Sequence, residues 1–451
     1  MGARVPLVLL IGVLAGASAL HAYRAEHPTS YYQSADERAY GTLALNIAEQ
    51  GHYGDRSTGM SYPLHWPPGA PVLFALAHKL APREESARTR DIPAAYWAQA
   101  LASVATILAT FGLASALCGT WGGLTAAALV GFYPPLVLAT ADQLSEPLGA
   151  FLVTSGFCAL AWAVGRGWAP GYAVGGALLG LSVLTRADLL LVPLIVAVVS
   201  LLSLPRRSDL RRRLATGGAL TAAACAVVLP WVVYASVRAG SFVPVTEGGA
   251  TALFVGTYAP GDGHTVGMKR ALEQQVKRFR PTLRDKTAFE IPAGIYMDMV
   301  AARHPGAPRE TAILREAWRN FVKYGLGDPP RFVGMMGDKV QRMWSGYARG
   351  SARPTSAWIR AWHLALVIAA LAGLVAGLWR CRSAVLAAAA LTIVYSTALH
   401  AIVVAQARYN LPLMPLLVAA GVSGWVLWHR AGALPENPRS ELCGRAVQQE
   451  A

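Results

Sequence analysis

The stretch AAYWAQALASVATILATFGLASAL, residues 94–117, carries no charged side chain. As a helix it is long enough to cross the hydrocarbon core of a bilayer, which is about 30 Å thick. Similar apolar stretches recur along the chain. They lie at about residues 5–22, 94–117, 120–140, 145–164, 170–185, 187–204, 214–236, 361–379, 384–405 and 411–429. The sequence therefore predicts an all-α polytopic membrane protein with about ten transmembrane helices.

The composition supports a membrane protein over an ordinary soluble enzyme. Of the 451 residues, 54% are hydrophobic and only 14% are charged, against about 25% charged in typical soluble domains. The net charge of +15 is concentrated in residues 238–357, which hold 18 Lys and Arg against 10 Asp and Glu. Basic groups that flank apolar spans set topology or contact anionic lipids, so we expect membrane lipids and not nucleic acid as partners. The five cysteines form no CxxC pair, which argues against a disulfide framework or a structural zinc site.

Arginines indicate which side of the membrane each loop faces. Ten spans place both termini on one side, and the loops on that side are basic. They carry Arg166, Arg380, Arg382, Arg430, Arg439, Arg445 and five arginines within 205–213. The positive-inside rule makes this side cytoplasmic. Residues 1–20 could instead be a cleaved signal peptide, but we favour a retained first span.

This topology divides the chain into four parts. They are an N-terminal transmembrane module, 1–236, that includes an external loop at 23–93; an external, α-rich cap at 237–360; C-terminal transmembrane helices at 361–429; and a cytoplasmic tail at 430–451. The first external loop lies at the membrane surface, and the cap is small because it has few continuous apolar runs. We expect a multi-pass protein of the bacterial cytoplasmic membrane.

The first external loop contains the most informative cluster, DERAYGTLALNIAEQGHY at 36–53. Asp36 and Glu37 precede Tyr40 at the start of an amphipathic helix, where the helix dipole stabilises carboxylates. Asp36 could simply cap this helix. A carboxylate at the outer membrane surface, beside tyrosines and the rigid segment YPLHWPPGAP, is also suited to accept a proton from a sugar or Ser/Thr hydroxyl.

A second pair of acids, Asp142 and Glu146, lies in ATADQLSEPL, in the next external turn. Acids at positions i and i+4 repel each other on a helix unless a cation or a substrate hydroxyl lies between them. The alternative is a solvated turn, with Glu146 in the first turn of the following helix.

Two arginines lie at the outer ends of apolar spans. Arg186, in LTRADLLL, interrupts about 35 apolar residues, and Arg408 precedes Tyr409 in QARYNLPLMP. An arginine near hydrocarbon costs several kcal/mol unless it is paired. An external cation beside acyl chains suits the phosphate of a lipid carrier. The alternatives are snorkelling towards water and, for Arg186, an ion pair with Asp188.

Motifs that would indicate other chemistry are missing from the sequence. It contains no G-x-x-x-x-G-K-[ST], no G-x-S-x-G and no H-E-x-x-H. Chemistry driven by a nucleotide is therefore not supported. Transporters usually carry acids in the middle of their spans, whereas the spans here hold ionisable residues almost only at their ends.

Four blocks in order resemble the C-type (GT-C) polyprenyl-phosphate-sugar-dependent glycosyltransferases, in the branch of protein O-mannosyltransferases and aminoarabinose transferases. The blocks are DERAYGTLALNIAEQGHY (36–53) with HWPPGAPVLFAL (65–76), SEPL (145–148), LTRADLLLVP (184–193) and ARYNLPLMPLLVAAG (407–421). The resemblance covers the transmembrane part, about two thirds of the chain. The long external segment resembles no domain that we can name, so the acceptor stays open.

The resemblance implies a role for each candidate residue. Asp36 of the acidic pair with Glu37 would be the catalytic base, and Glu146 the second acid, with Asp142 as the fallback. Relatives carry a basic residue just before Pro-Pro, where this chain has His65. The remaining candidates, which would bind the substrate or the carrier phosphate, are Tyr40, His65, Arg186, Arg408 and Tyr409.

The family also implies a mechanism and partners. The donor would be a sugar on polyprenyl phosphate at the outer face, and the acceptor a hydroxyl of a glycan, a lipid or a protein. A single displacement would invert the anomeric carbon. Some relatives hold a divalent cation beside their acids, and the sequence leaves open whether this chain does. The rival functions are a flippase or carrier of lipid-linked saccharides and a noncatalytic membrane subunit.

Overall fold

The structure, a computed structural model, describes residues 4–28, 34–54, 63–166, 168–203, 210–346, 356–381 and 383–432. All regular secondary structure within these ranges is helical, which confirms the predicted all-α fold. The α-helices are α1 (Arg4–Glu26), α2 (Ala35–Leu45), α3 (Gly69–Leu80), α4 (Glu84–Thr89), α5 (Pro93–Cys118), α6 (Thr120–Gly131), α7 (Pro134–Ala139), α8 (Glu146–Arg166), α9 (Ala169–Thr185), α10 (Val192–Ser203), α11 (Leu210–Ala239), α12 (Gly249–Thr257), α13 (Thr265–Phe279), α14 (Ala293–Ala301), α15 (Arg309–Asn320), α16 (Pro329–Trp344), α17 (Ala357–Arg380), α18 (Ala384–Ile402) and α19 (Met414–Gly432).

Short 3₁₀ and π segments join several of these helices. The 3₁₀ segments are Pro63–His65, Ala187–Leu189, Ala259–Gly261, Pro281–Leu283 and Ala407–Leu413, and the π segments are Asn46–Gln50 and Phe321–Leu326. Two of the 3₁₀ segments, Ala187–Leu189 and Ala407–Leu413, directly follow or contain the two arginines singled out in the sequence.

Seven helices in the described ranges are long and apolar enough to cross a membrane. They are α1, α5, α8, most of α11, α17, α18, and α19 together with the 3₁₀ turn before it. The predicted spans 170–185 and 187–204 correspond to shorter apolar helices, Pro170–Thr185 and Ala187–Leu202. The chain is therefore a multi-pass membrane protein, as the sequence predicts.

The predicted span 120–140 is not one continuous helix. α6 ends at Gly131, and α7 begins at Pro134 after a two-residue break. The reason is local, because Pro134 and Pro135 lack the amide hydrogen that would continue α6 and force the preceding residue into an extended conformation. That residue, Tyr133, is buried, and its hydroxyl lies 2.5 Å from Nδ1 of His363 on α17.

Small residues let the spanning helices approach each other closely. α17 packs against α19, α5 against α8, and α9 against both α8 and α11. At the contact of α17 with α19, a Cβ atom on Gly424 would lie 1.9 Å from the carbonyl oxygen of Gly373. Only glycine permits this approach of two backbones, which is a common way for membrane helices to associate.

The directions of the helices bring several helix ends together at one end of the bundle. α8 begins at Glu146 and α9 ends at Thr185, while α18 ends at Ile402 and α19 begins at Met414. These helix ends form what we call the site end. Parts of the predicted cytoplasmic face, including Arg206, Arg207, Arg382 and the tail from residue 433, lie outside the described residues.

Helices α12–α16, residues 249–344, form the small α-rich cap expected from the sequence. Their own apolar core includes Phe254, Met268, Leu272 and Ile313, all nearly inaccessible to solvent. α12 and α16 both pack against α18, and α16 also contacts the 3₁₀ turn Ala407–Leu413. The cap therefore covers the site end of the bundle.

Candidate active site

A cavity of about 330 Å³ opens at the site end, between the bundle and the cap. Its walls come from the first loop, from the ends of α8, α9 and α18, and from residues 246–252 at the start of the cap. Seven of the nine residues singled out in the sequence line it. They are Asp36, Tyr40, His65, Glu146, Arg186, Arg408 and Tyr409.

Asp36 lies in the first turn of α2, which begins at Ala35, and its side chain lines the cavity. Its Oδ2 accepts a hydrogen bond from Nη2 of Arg408, and its Oδ1 accepts one from Nε1 of Trp66, at 3.3 Å. Burial raises the pKa of Asp36, but the Arg408 guanidinium, the Trp66 N–H group and the neighbouring His65 together outweigh burial. The net result is a pKa below the usual value, so the carboxyl group is ionised at neutral pH.

Glu37 does not line the cavity, although it neighbours Asp36 in the sequence. Its carboxylate accepts from the backbone N–H of Ser34 at 2.6 Å, while the Ser34 hydroxyl accepts from the Glu37 N–H at 3.2 Å. This reciprocal capping box satisfies free N–H groups at the start of α2. The structure thus assigns helix capping to Glu37 and leaves Asp36 free to face the cavity.

Asp142 also lies outside the cavity. It is 1% exposed, and its carbonyl oxygen accepts from Nε2 of Gln99 at 3.1 Å. The residue lies in the turn before α8, so it does not share a helical face with Glu146 as an i, i+4 pair would. The structure therefore presents Glu146, and not the fallback Asp142, to the other candidate residues.

Glu146 links the two arginines. Its Oε1 lies 3.3 Å from Nη1 of Arg186 and 3.5 Å from Nε of Arg408. Its Oε2 is buried and has no hydrogen-bond partner among the described residues. The side chain is only 3% exposed. One carboxylate oxygen of Glu146 therefore contacts both guanidinium groups, and the other can accept a hydrogen bond from a ligand.

Arg186 is held from two sides. Its Nε and Nη2 donate to the two carboxylate oxygens of Asp188, both at 3.2 Å, and its Nη1 donates to Oγ of Ser145 at 3.3 Å. The ion pair with Asp188 was one alternative reading of Arg186, and it is present. Arg186 nevertheless lines the cavity beside Glu146, so pairing and ligand binding do not exclude each other.

Arg408 and Tyr409 come from the 3₁₀ turn before α19. Nε of Arg408 also donates to Oε1 of Gln406 at 3.0 Å. The guanidinium carbons of Arg186 and Arg408 lie 5.3 and 5.7 Å from the centre of the Tyr409 ring. Both arginines are at most 8% exposed. They are held by charge pairs and by an aromatic face, which is not the arrangement of arginines that snorkel to water.

His65 forms part of the wall where the cap meets the first loop. A Cβ atom on Gly248 would lie 2.8 Å from Cε1 of His65, so only glycine fits against the ring. Burial lowers the pKa of His65, and Arg309 lowers it further, against the opposite effect of Asp36. The imidazole is therefore largely neutral at neutral pH, so it offers a hydrogen bond and no fixed positive charge at this position.

Among the cavity residues that the sequence did not single out are His400, Trp66 and Asp188, the last of which was considered only as a partner of Arg186. All three line the cavity. Asp188 had a signal, since it is the second charge within the apolar run around LTRADLLL. His400 is one polar residue near the end of a long apolar span, and no local pattern separates it from a histidine buried for structural reasons.

The carboxylates of the cavity do not form a set of metal ligands. Asp36 is engaged by Arg408, Asp188 by Arg186, and Glu146 by both arginines. Within the ranges that the structure describes, no group of three or more His, Cys, Asp or Glu residues could hold a metal ion. With each carboxylate held by an arginine, the described residues do not fit a resident divalent cation.

Comparisons with known proteins agree with this architecture. Residues 65–234 match the family described as dolichyl-phosphate-mannose-protein mannosyltransferase. This range includes His65, Glu146 and Arg186. A search of curated protein sequences found no significant match.

Solved structures extend the similarity over nearly the whole chain. The Archaeoglobus fulgidus oligosaccharyltransferase tethered to an acceptor peptide has a TM-score of 0.55 at 16% identity, over 97% of this chain and 54% of that chain. The enzyme AglB from the same organism, in complex with an inhibitory peptide and a dolichol-phosphate, has a TM-score of 0.53 at 15% identity, over 97% and 53%. This chain thus spans about half the length of these structures.

A weaker similarity is to ArnT from Cupriavidus metallidurans bound to undecaprenyl phosphate. Its TM-score is 0.40 at 17% identity, over 97% of this chain and 82% of that chain. The family match over residues 65–234 and the fold shared with the oligosaccharyltransferase agree with the four sequence blocks.

Proposed function

We propose that the chain transfers a sugar from a polyprenyl-phosphate donor to an acceptor hydroxyl, with inversion at the anomeric carbon. The observation that carries this proposal is the contact of Asp36 with Arg408 across 372 positions of sequence, in the cavity that also holds Glu146 and Arg186. A base and two phosphate-binding cations in one cavity are what this reaction needs. The AglB structure, which contains a dolichol-phosphate, supports a lipid-phosphate ligand for this fold.

The charges of the cavity suit a phosphodiester donor. The three carboxylates outnumber the two arginines by one, so the cavity has no positive charge to spare for a dianion. A polyprenyl-phosphate sugar carries only one negative charge, and the leaving polyprenyl phosphate gains a second as the bond to the sugar breaks. The arginines therefore interact more strongly with the transition state than with the bound donor, which is the condition for lowering the barrier.

The chain's own residues account for each movement of protons and electrons. The acceptor oxygen forms a bond to the anomeric carbon while its proton passes to the carboxylate of Asp36. The bond from the anomeric carbon to the phosphate oxygen breaks, and its electron pair stays on the phosphate, beside Arg408 and Arg186. The Glu146 oxygen without a partner is placed to accept a hydrogen bond from a hydroxyl of either substrate.

The proposal includes an orientation in the membrane. The site end would face the outside of a bacterial cytoplasmic membrane, since the opposite end carries Arg166, Arg380 and Arg430. Arg166 and Arg380 lie over the rings of Trp162 and Trp428, at 3.8 and 4.6 Å. Such pairs are typical of the membrane interface. The acceptor, a hydroxyl of a glycan, a lipid or a protein, would enter between the cap and the first loop.

The test is release of the carrier from purified protein in lipid nanodiscs. With a panel of undecaprenyl-phosphate hexoses and pentoses and a simple alcohol or water as acceptor, we expect free undecaprenyl phosphate to appear. Arg408→Ala should abolish most of this release, whereas Arg166→Ala, at the other end of the bundle, should not. Movement of donors between leaflets without release of the carrier would instead support the flippase. Absence of both activities would support the noncatalytic subunit.

A further inference from the structure

His400 and Asp188 meet at the end of the cavity remote from Asp36. Nε2 of His400 lies 3.6 Å from Oδ2 of Asp188, and the chain of contacts runs from Asp36 through Arg408, Glu146 and Arg186 to this pair. His400 is 3% exposed, yet it lines the cavity. The mechanism proposed above uses neither residue.

The hydrogen bonds of His400 show what its ring offers to the cavity. Nδ1 lies 2.8 Å from the carbonyl oxygen of Ser396, which can only accept, so Nδ1 carries a hydrogen. In the neutral ring Nε2 is then an acceptor. The Asp188 oxygen that faces it is also an acceptor, and it already receives a hydrogen bond from Arg186. Two acceptors at 3.6 Å need a donor between or beside them.

Balancing Arg186 does not by itself explain this arrangement. Asp188 already neutralises Arg186 with two hydrogen bonds, and that pairing requires no histidine. An imidazole acceptor that faces a cavity is satisfied by water or by a ligand that donates a hydrogen bond. The chemistry of the pair fits neighbouring hydroxyl or amino groups, which donate to both acceptors, and such groups are what a sugar ring presents.

We propose that Asp188 and His400 bind the ring hydroxyl or amino groups of the donor sugar and determine which sugar the site accepts. This inference rests on the proposed function. A phosphate held by Arg186 has its directly bonded sugar within reach of Asp188, because Asp188 touches Arg186. The acceptor instead belongs at the opposite end, beside Asp36. The Tyr409 ring, 4.9 Å from the His400 ring, adds an apolar face for the sugar.

Equilibrium binding without any acceptor tests the assignment independently of turnover. Two probes are used in nanodiscs, undecaprenyl-phosphate mannose and undecaprenyl phosphate without a sugar. His400→Gln leaves the bidentate Arg186–Asp188 pair intact, and we expect it to weaken binding of the sugar-bearing probe about tenfold to a hundredfold. Binding of undecaprenyl phosphate should change less than about twofold. Ser396→Ala is the control: it removes a hydroxyl 3.5 Å from Nδ1 but keeps the carbonyl oxygen 2.8 Å away that orients the ring, and it should change neither.

Deoxy analogues of the donor sharpen the test. In the wild type, removal of the sugar hydroxyl that contacts the pair should weaken binding, and in His400→Gln the same removal should cost much less. Asp188→Asn should give the same pattern if its amide keeps Arg186 in place. Equal losses for both probes, or a deoxy penalty that His400→Gln leaves unchanged, would overturn the sugar assignment. Absence of carrier release by the wild type would instead count against the transferase function, so the two failures are distinguishable.

Discussion

Asp36 owes its position to its own helix and its ionisation to distant residues. The capping box of Ser34 and Glu37 sets the start of α2, which turns Asp36 towards the cavity and Glu37 away from it. The partners that keep its carboxyl group ionised, Arg408 and Trp66, come from other segments. A pair of adjacent acids in the sequence therefore divides into one structural residue and one candidate base.

Replacing each acid of this pair in turn tests the division. Asp36→Asn keeps the shape but cannot accept a proton, so we expect turnover to fall about 10²-fold or more while donor binding changes little. Glu37→Gln is the matched control. It should keep the turnover of the wild type and nearly all of the helix-cap stability, because the amide oxygen of Gln can also accept from the Ser34 N–H. Rates of carrier release and thermal unfolding in detergent separate the two outcomes, and near-normal turnover of Asp36→Asn would return Asp36 to a structural role.

The pH dependence of turnover should report the contact between Asp36 and Arg408. The lowered pKa keeps Asp36 ionised below its usual value of about 3.9, so protonation of this group should not limit the wild type between about pH 4 and 8. Arg408→Gln removes the cation but leaves burial, which raises the pKa. We expect an acidic decline in kcat/KM to appear, shifted upwards by about one to three pH units.

The same contact has a consequence for stability. A pKa that is lower in the folded state stabilises the fold at pH values above the pKa of the unfolded chain, and this stabilisation disappears as the pH falls through the folded-state pKa.

Profiles of kcat/KM against pH for the wild type and Arg408→Gln, each normalised to its own maximum, test whether Arg408 controls the ionisation of Asp36. If the acidic limbs coincide, Arg408 does not control the ionisation of Asp36.

At the scale of elements, a buried lysine helps to join the cap to the bundle. Lys339 of α16 is fully buried, and its Nζ donates to the carbonyl oxygens of Gly256, Ile402 and Val403 at 2.9, 3.0 and 3.2 Å. These carbonyls end α12 and α18. Since the turn that carries Arg408 follows α18 directly, Lys339 holds in place the part of the chain that presents a candidate phosphate ligand.

Replacing Lys339 should lower the stability of the fold more than replacing an exposed lysine does. Lys339→Met leaves three buried carbonyl oxygens without a donor, and we expect a loss of about 1.5–3 kcal/mol in the free energy of unfolding. Lys286→Met, on the exposed surface of the cap, is the control with the same chemical change and should lie within about 0.5 kcal/mol of the wild type. Thermal unfolding in detergent compares them, and equal midpoints would contradict the role given to Lys339.

At the scale of the whole molecule, the bundle has two chemically different ends. The site end carries the ion-paired cavity and the cap, whereas the other end carries arginines such as Arg166 and Arg380. Topology therefore decides on which side of the membrane the reaction takes place. The positive-inside rule predicts that the cap faces outwards.

Thiol labelling in intact cells tests this orientation. In a background with the five native cysteines replaced, Arg278→Cys on the exposed surface of α13 should react with an impermeant thiol reagent. Arg166→Cys, at the other end, should react only after the cells are permeabilised. The reverse pattern would place the cavity in the cytoplasm and would remove the outward-facing donor from the proposal.

The sequence determined the features that depend on local properties of the chain. Hydropathy over about 20 residues predicted the all-α membrane fold, because a helix must satisfy its backbone hydrogen bonds within its own segment in the bilayer. Charges that interrupt apolar runs pointed to Arg186 and Arg408 for a related reason, since an unpaired charge near hydrocarbon is costly. The prediction of one continuous span at 120–140 was wrong, because hydropathy does not register the helix break at Pro134.

Only the tertiary structure decided which of these residues meet. The spacing of Ser34 and Glu37 is that of a capping box and distinguishes Glu37 from Asp36 locally. Nothing local distinguishes Glu146 from Asp142, because that choice depends on which side of the turn before α8 the packing leaves open. His400 lines the cavity because α18 packs against α10 and against the cap. The contact of Asp36 with Arg408 joins residues 372 positions apart. Such a contact is set by the packing of whole helices and of the cap, and no local pattern in the chain encodes it.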